Sequence, residues 1–167
     1  LSRLPTGEIG ELVGRSNTMM SGYQNQSEKT EEASWYDEKG ERWQRMGDIG
    51  RVDEDGFVTL LGRSKDMIIS GGFNIYPRDL EDALLKQPEV VDAAVIGIPS
   101  SEWGETPLGF VVAAEGKPLD LAAVCARANA ELGKTQRISA LRQLNELPRS
   151  HIGKILKTAL REQVADT

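Results

Sequence analysis

The chain has 167 residues, 39% hydrophobic and 28% charged, the composition of a soluble globular protein with room for one ordinary domain or two small ones. Its net charge of -6, with Lys and Arg interleaved among acids, argues against a nucleic-acid footprint, which needs clustered cations. A lone cysteine, Cys125, can close no internal disulfide, and no apolar run approaches the ~18 residues that span a bilayer. The first residues, Leu1 to Glu8, hold no apolar signal core and no initiating Met. The expectation is a cytoplasmic piece of something longer.

Taken in order, Ile9–Val13, Arg51–Val52 and Phe57–Leu61 are candidate strands in a turn-rich first part. Asp53-Glu54-Asp55-Gly56 lies between the last two, and an Asp-Gly pair between apolar runs is a hairpin signal. The polar stretch from Gln24 to Arg45 reads as an exposed helix and loop pinned by Trp35, Tyr36 and Trp43. Texture changes near residues 62 to 66, and strands and helices alternate thereafter. Met67-Ile68-Ile69 reads as a strand before a Gly-Gly turn, and Pro77 as the first residue of a helix burying Leu80, Ala83 and Leu84. Val90–Ile98 and Leu108–Ala114 are expected strands, separated by a loop holding Trp103. Leu121, Val124, Cys125, Ala128 and Leu132 have the spacing of one buried helical stripe, which puts an inert Cys125 thiol in the core. Ile138–Leu147 is expected as a strand and Lys154–Gln163 as a last helix. The fold class is therefore α+β: a small mixed sheet with packed helices, preceded by a β-rich piece. The expected division is 1–64 and 65–167.

Four segments carry more glycine and charge than packing requires. In Arg45-Met46-Gly47-Asp48-Ile49-Gly50, the Asp48 carboxylate between glycines either presents its oxygens to a diol or caps a turn. Gly62-Arg63-Ser64-Lys65-Asp66 precedes Ser70-Gly71-Gly72, whose bare backbone suits a narrow passage but also a plain turn. Trp103, in the Ile98–Pro107 stretch, is either a binding face or a ring folded onto the domain. In Pro148-Arg149-Ser150-His151-Ile152-Gly153-Lys154, a Lys follows a Gly at an expected helix start, an unfavourable place on dipole grounds unless it meets an anion. A solvated surface Lys is the plainer alternative, and His151 reads as a surface or hinge residue.

In this order and spacing the segments resemble the later core motifs of the adenylate-forming (AMP-binding) superfamily, acyl-CoA synthetase type. The Gly7–Leu12 and Gly22–Asn25 stretches resemble the motif before the ribose-binding aspartate. Arg45–Asp48 is similar to the Arg-Thr-Gly-Asp motif, with Met46 where the family usually has Thr. Gly62–Glu81 is similar to the hinge motif and Pro148–Lys154 to the terminal lysine motif.

The resemblance implies that Asp48 binds the ribose hydroxyls of ATP, with Arg63 nearby on ribose or phosphate. It makes Lys65 the hinge of a C-terminal lid, residues 65–167, and residues 1–64 the terminal β-rich piece of a large ATP- and acyl-binding domain. Lys154 is the implied catalytic residue of adenylation, and Ser70, Gly71, Gly72 and Trp103 would lie near CoA. The implied cofactors are ATP, CoA and Mg2+, with the metal's ligands upstream of this chain and none within it. The implied activity is that of an acid–CoA ligase acting on a carboxylic acid, inactive as this piece alone. Alternatives are an adenylation domain delivering to a carrier protein, and a non-catalytic stand-alone lid. The Ser-Gly-Gly-Phe-Asn-Ile-Tyr-Pro form favours the CoA ligase. An apolar edge in the first part could also pair with another copy as a homodimer.

Overall fold

The computed structural model describes residues 2–165. The chain divides into two compact units, 1–65 and 66–167.

The first unit is a four-stranded antiparallel sheet built on one long strand. Strand β1 (Gly10–Gly14) precedes helix α1 (Ser27–Glu32) and β2 (Ser34–Tyr36); β3 (Arg42–Val52) and β4 (Val58–Arg63) follow. β3 is the central strand, pairing with β1, β2 and β4. The β3–β4 turn forms as its Asp-Gly signal predicts: Asp53 Oδ1 accepts from the Asp55 and Phe57 N–H groups, and Gly56 takes a positive φ. The expected loop around Trp43 is instead strand. Trp43 pairs with Trp35 across β2–β3, their rings 6.3 Å apart, and its indole N–H donates to Asp37. Among the described residues of this unit only Ile49 and Gly50 are buried, while Phe57, Val58 and Leu60 are more than half exposed.

The second unit has a five-stranded mixed sheet. β5 (Ile68–Ser70) and β6 (Phe73–Ile75) form a hairpin, and Pro77 opens α2 (Pro77–Leu85) as expected. β7 (Val90–Ser100) and β8 (Gly104–Ala113) form a long antiparallel hairpin. After α3 (Leu121–Glu131), β9 (Ala140–Leu144) runs parallel to β8, and α4 (Lys157–Ala165) closes the described chain. Alternate residues of β7 point to opposite faces. Ala93 and Val95 pack with Leu80 and Leu84 of α2 and Val124 and Ala128 of α3, whereas Ala94 and Ile96 pack with Phe110 and Leu160 of α4. Helices thus cover both faces, which explains why Val90–Ile98 is apolar without alternation. At Gly109 a Cβ would sit 2.5 Å from Leu141 Cδ2, so a larger residue there would have to displace the Leu141 side chain where β9 lies alongside.

Three sequence expectations are corrected here. The strands flanking Trp103 do not stop at Ile98 and restart at Leu108; the ladder continues from Ile98↔Thr106 to Ser100↔Gly104, leaving a tight turn. Cys125 is half-buried rather than buried, although burial still raises its thiol pKa above the ordinary value. The last helix begins at Lys157, so Lys154 precedes it.

Helix α3 shows how a local signal is used. Asp120 caps it, Oδ1 accepting from the Ala122 and Ala123 N–H groups at 3.0 Å each. Asp120→Ala should lower stability by about 1 kcal/mol, and Asp120→Asn should keep most of it. Denaturant titration of the two variants checks this.

Candidate active site

Asp48 and Arg63 face each other across β3 and β4, where they are directly paired in register. Arg63 Nε lies 2.9 Å from Asp48 Oδ1, and its Nη1 donates to the Met46 carbonyl at 3.2 Å. The guanidinium therefore holds the carboxylate through Oδ1. Gly47 takes a φ of +68°, and an added Cβ would lie 4.0 Å from Arg63 Nη1, so the backbone bends here without crowding the pair. Arg45, from the same motif, points elsewhere: Nε and Nη2 both donate to Glu11 Oε2, joining β3 to β1, and that bond raises its pKa. Met46 lays its methyl group over Gly14, where a Cβ would be only 2.3 Å away.

Lys65 lies in a single 3-10 turn, Ser64–Asp66, at the boundary of the two units, with its side chain exposed. Beyond it, Ser70 and Phe73 are paired and flank a two-residue turn in which Gly71 and Gly72 both have positive φ, +57° and +81°. A tight hairpin turn of this kind requires residues free of Cβ strain. Trp103 lies against the turn. The Gly71 N–H donates to the Trp103 carbonyl at 2.9 Å, and a Cβ on Gly71 would come within 2.9 Å of Trp103 Cε3. Trp103 is 52% exposed, so it both covers Gly71 and stays open to solvent. Glu105 supports this arrangement, its carboxylate accepting the Ile69 N–H at 2.9 Å.

Lys154 belongs to neither group. It sits on an outward turn whose stem is the Arg149↔Ile155 bridge, with the Ser150 N–H donating to the Lys154 carbonyl and the Leu156 N–H to Pro148. Gly153, with φ +78°, lets the turn reverse, and Arg149 anchors the stem to β7 through Asp92 at 2.5 Å. The helix-dipole reasoning for Lys154 thus falls away. The residue is instead an exposed ammonium with no carboxylate partner among the described residues, presented by a braced turn beside the exposed His151 and Ile152.

A cleft of about 930 Å³ lies elsewhere in the first unit, among Leu4, Glu11, Val13, Trp35, Trp43 and Arg45. Among the described residues no three His, Cys, Asp or Glu side chains are grouped to hold a metal. No helix of the described chain is long and apolar enough to cross a membrane.

Residues 79–154 match the family model of the AMP-binding enzyme C-terminal domain, a match that ends on Lys154. The chain is 38% identical over 93% of its length to sulfoacetate–CoA ligase of Cupriavidus necator, and covers 30% of that protein. The chain belongs to the adenylate-forming superfamily. Another relative, the long-chain-fatty-acid–CoA ligase FadD13 of Mycobacterium tuberculosis, is 37% identical over 95% of the chain and 30% of its own length. Among solved structures, ATP-bound MatB from Rhodopseudomonas palustris superposes with a TM-score of 0.88 at 36% identity, over 98% of this chain and 32% of that one. The amide bond synthetase McbA from Marinactinospora thermotolerans gives 0.83 at 34% identity, over 96% and 32%. The chain therefore spans about a third of the length of these relatives. Its α+β fold is that of the superfamily's C-terminal domain.

Two ion pairs that the sequence reading did not anticipate join the Gly62–Glu81 stretch to α4. Lys157 Nζ lies 2.7 Å from Glu81 Oε1, and Arg161 Nη2 lies 3.0 Å from Asp66 Oδ1. The only hint of them in the sequence is the pair of cations four apart on α4, because their partners lie 76 and 95 positions away.

Proposed function

We propose that this chain is the C-terminal region of an ATP-dependent acid–CoA ligase, which adenylates a carboxylic acid and then transfers the acyl group to CoA. The observation that carries the reading is the pairing of Asp48 with Arg63 on one sheet and the separate presentation of Lys154 on a braced turn. Asp48 accepts the ribose hydroxyls of ATP, held in place by Arg63. Lys154 supplies a fixed positive charge to the carboxylate and α-phosphate, where negative charge grows as the adenylate forms. Lys65 is the pivot of a lid comprising residues 65–167, and its swing exchanges Lys154 for the Ser70-Gly71-Gly72 turn and Trp103 beside the CoA arm. The first unit, with two buried residues among those described, is the end of a larger ATP- and acyl-binding domain, since alone it buries no core. The described residues hold no three-ligand cradle for Mg2+.

The likeness to an amide bond synthetase favours one second reading, in which an amine replaces the thiol as acceptor. The experiment that tests both uses the full-length protein with a panel of carboxylic acids, following pyrophosphate release with and without CoA or amines. Acid-dependent pyrophosphate release with thioester formation is expected. Amide formation with no CoA thioester would favour the second reading, and no acid-dependent release would overturn both.

A further inference from the structure

Helix α4 places Lys157, Leu160, Arg161 and Val164 along one face. Leu160 is fully buried against Ala94, Ile96 and Phe110, and Val164 packs beside it. The two cations of that face each reach a carboxylate in an earlier part of the second unit. Lys157 meets Glu81 Oε1, an oxygen that also accepts the Val95 N–H at 2.9 Å. Arg161 meets Asp66, the residue that follows Lys65 in the chain. The Asp66 side chain is 18% exposed and that of Arg161 35%, so the pair is screened less than a surface pair. The planar guanidinium also gives it direction. Lys154 stands only three residues before α4, and Ile155 packs into the same apolar cluster as Leu160.

From this arrangement we propose that Asp66 and Arg161 form a positioning pair that ends the pivot at Lys65. Asp66 is clamped to the helix that supports the Lys154 turn. Every residue from Asp66 onward then moves as one body with Lys154, and rotation is confined to the residue before it. Without the pair, the 3-10 turn at Ser64–Asp66 is free to unwind toward β5, and the swing delivers Lys154 to a spread of positions. The role in catalysis rests on the acid–CoA ligase reading, whereas the clamp on the connector does not.

The test uses the full-length protein and two readouts. Arg161→Gln should raise the rate of tryptic cleavage after Lys65 about tenfold, as expected when a half-buried charge loses its partner. The same change should lower kcat for acid-dependent pyrophosphate release about tenfold, with the KM for ATP within about twofold, because positioning rather than binding is lost. Asp66→Asn should reproduce the kinetic loss, the double variant should be no worse than either single one, and Arg161→Lys should recover part of both readouts. An unchanged cleavage rate in Arg161→Gln, or additive losses in the double variant, would overturn the clamp. Should Arg161→Gln not fold, Arg161→Lys carries the test, expected at intermediate cleavage and kcat; wild-type values in both would equally overturn the proposal. If the wild-type protein makes no acyl-adenylate, the ligase reading fails, while the cleavage result still decides the clamp.

Discussion

Lys154→Ala in the full-length protein is expected to slow acyl-adenylate formation by about 100- to 1,000-fold, the loss seen when one preorganised charge-stabilising donor is removed from a transition state. Thioester formation from supplied acyl-adenylate should stay within about threefold of wild type, because the proposed role of Lys154 is confined to the first step. The structural basis is the braced turn. Arg149 is tied to Asp92, the stem closes at Arg149↔Ile155, and Gly153 sharpens the reversal, so the side chain is carried on a rigid base. Alanine removes the ammonium without disturbing any of these bonds, since the turn uses only the backbone of residue 154. Lys154→Arg keeps the charge but not its reach, and should recover only part of the rate. Pyrophosphate release reports the first step, and loss of free thiol from CoA reports the second. Equal losses in both would remove Lys154 from its proposed place.

Much of the second unit was legible because its signals are local. Pro77 set the start of α2, and Leu80, Ala83 and Leu84 are buried as their spacing requires. The apolar run at Val90–Ile98 announced a strand, and its lack of alternation is explained by helices on both faces. The errors have physical causes too. Ile155 and Leu156 extend the apolar pattern of α4 toward its N-terminus, but their backbones are committed to Arg149 and Pro148, so the helix cannot start at Lys154. Trp43 and Arg45 lie among charged residues that resemble a solvated loop. They are strand because Trp43 pairs with Trp35 across β2–β3 and Arg45 with Glu11, which lies 34 positions away. The polar residues Glu105 and Thr106 hid the length of the β7–β8 hairpin, where backbone pairing persists past the apolar stretch. The Asp48–Arg63 pairing could be anticipated from two motifs only as proximity, and its register required the bulge between Ile49 and Gly50. The Asp66–Arg161 pair was invisible, because nothing local links residues 95 positions apart.

Gly72→Trp is expected to slow thioester formation by about 100-fold or more, an effect of the size that a displacement of ~1 Å produces at a reacting centre. Adenylation should remain within about threefold of wild type. Two consequences of the turn geometry meet at this position. Gly72 has φ +81° and no heavy atom within 4 Å of where a Cβ would stand, so a side chain there projects into open space beside the passage proposed for CoA. The left-handed backbone also strains any bulky L-residue by about 1–2 kcal/mol. Gly72→Asn separates the two effects, since Asn tolerates this conformation and is small; it should keep most of the thioester rate. Gly71 answers a different question. A Cβ there meets the Trp103 ring at 2.9 Å rather than open space, so Gly71→Ala displaces the aromatic face instead of filling the passage. That variant should raise the KM for CoA more than it lowers kcat, if Trp103 contributes binding rather than chemistry. Slow adenylation with normal thioester formation in Gly72→Trp would show that the turn does not serve the second step.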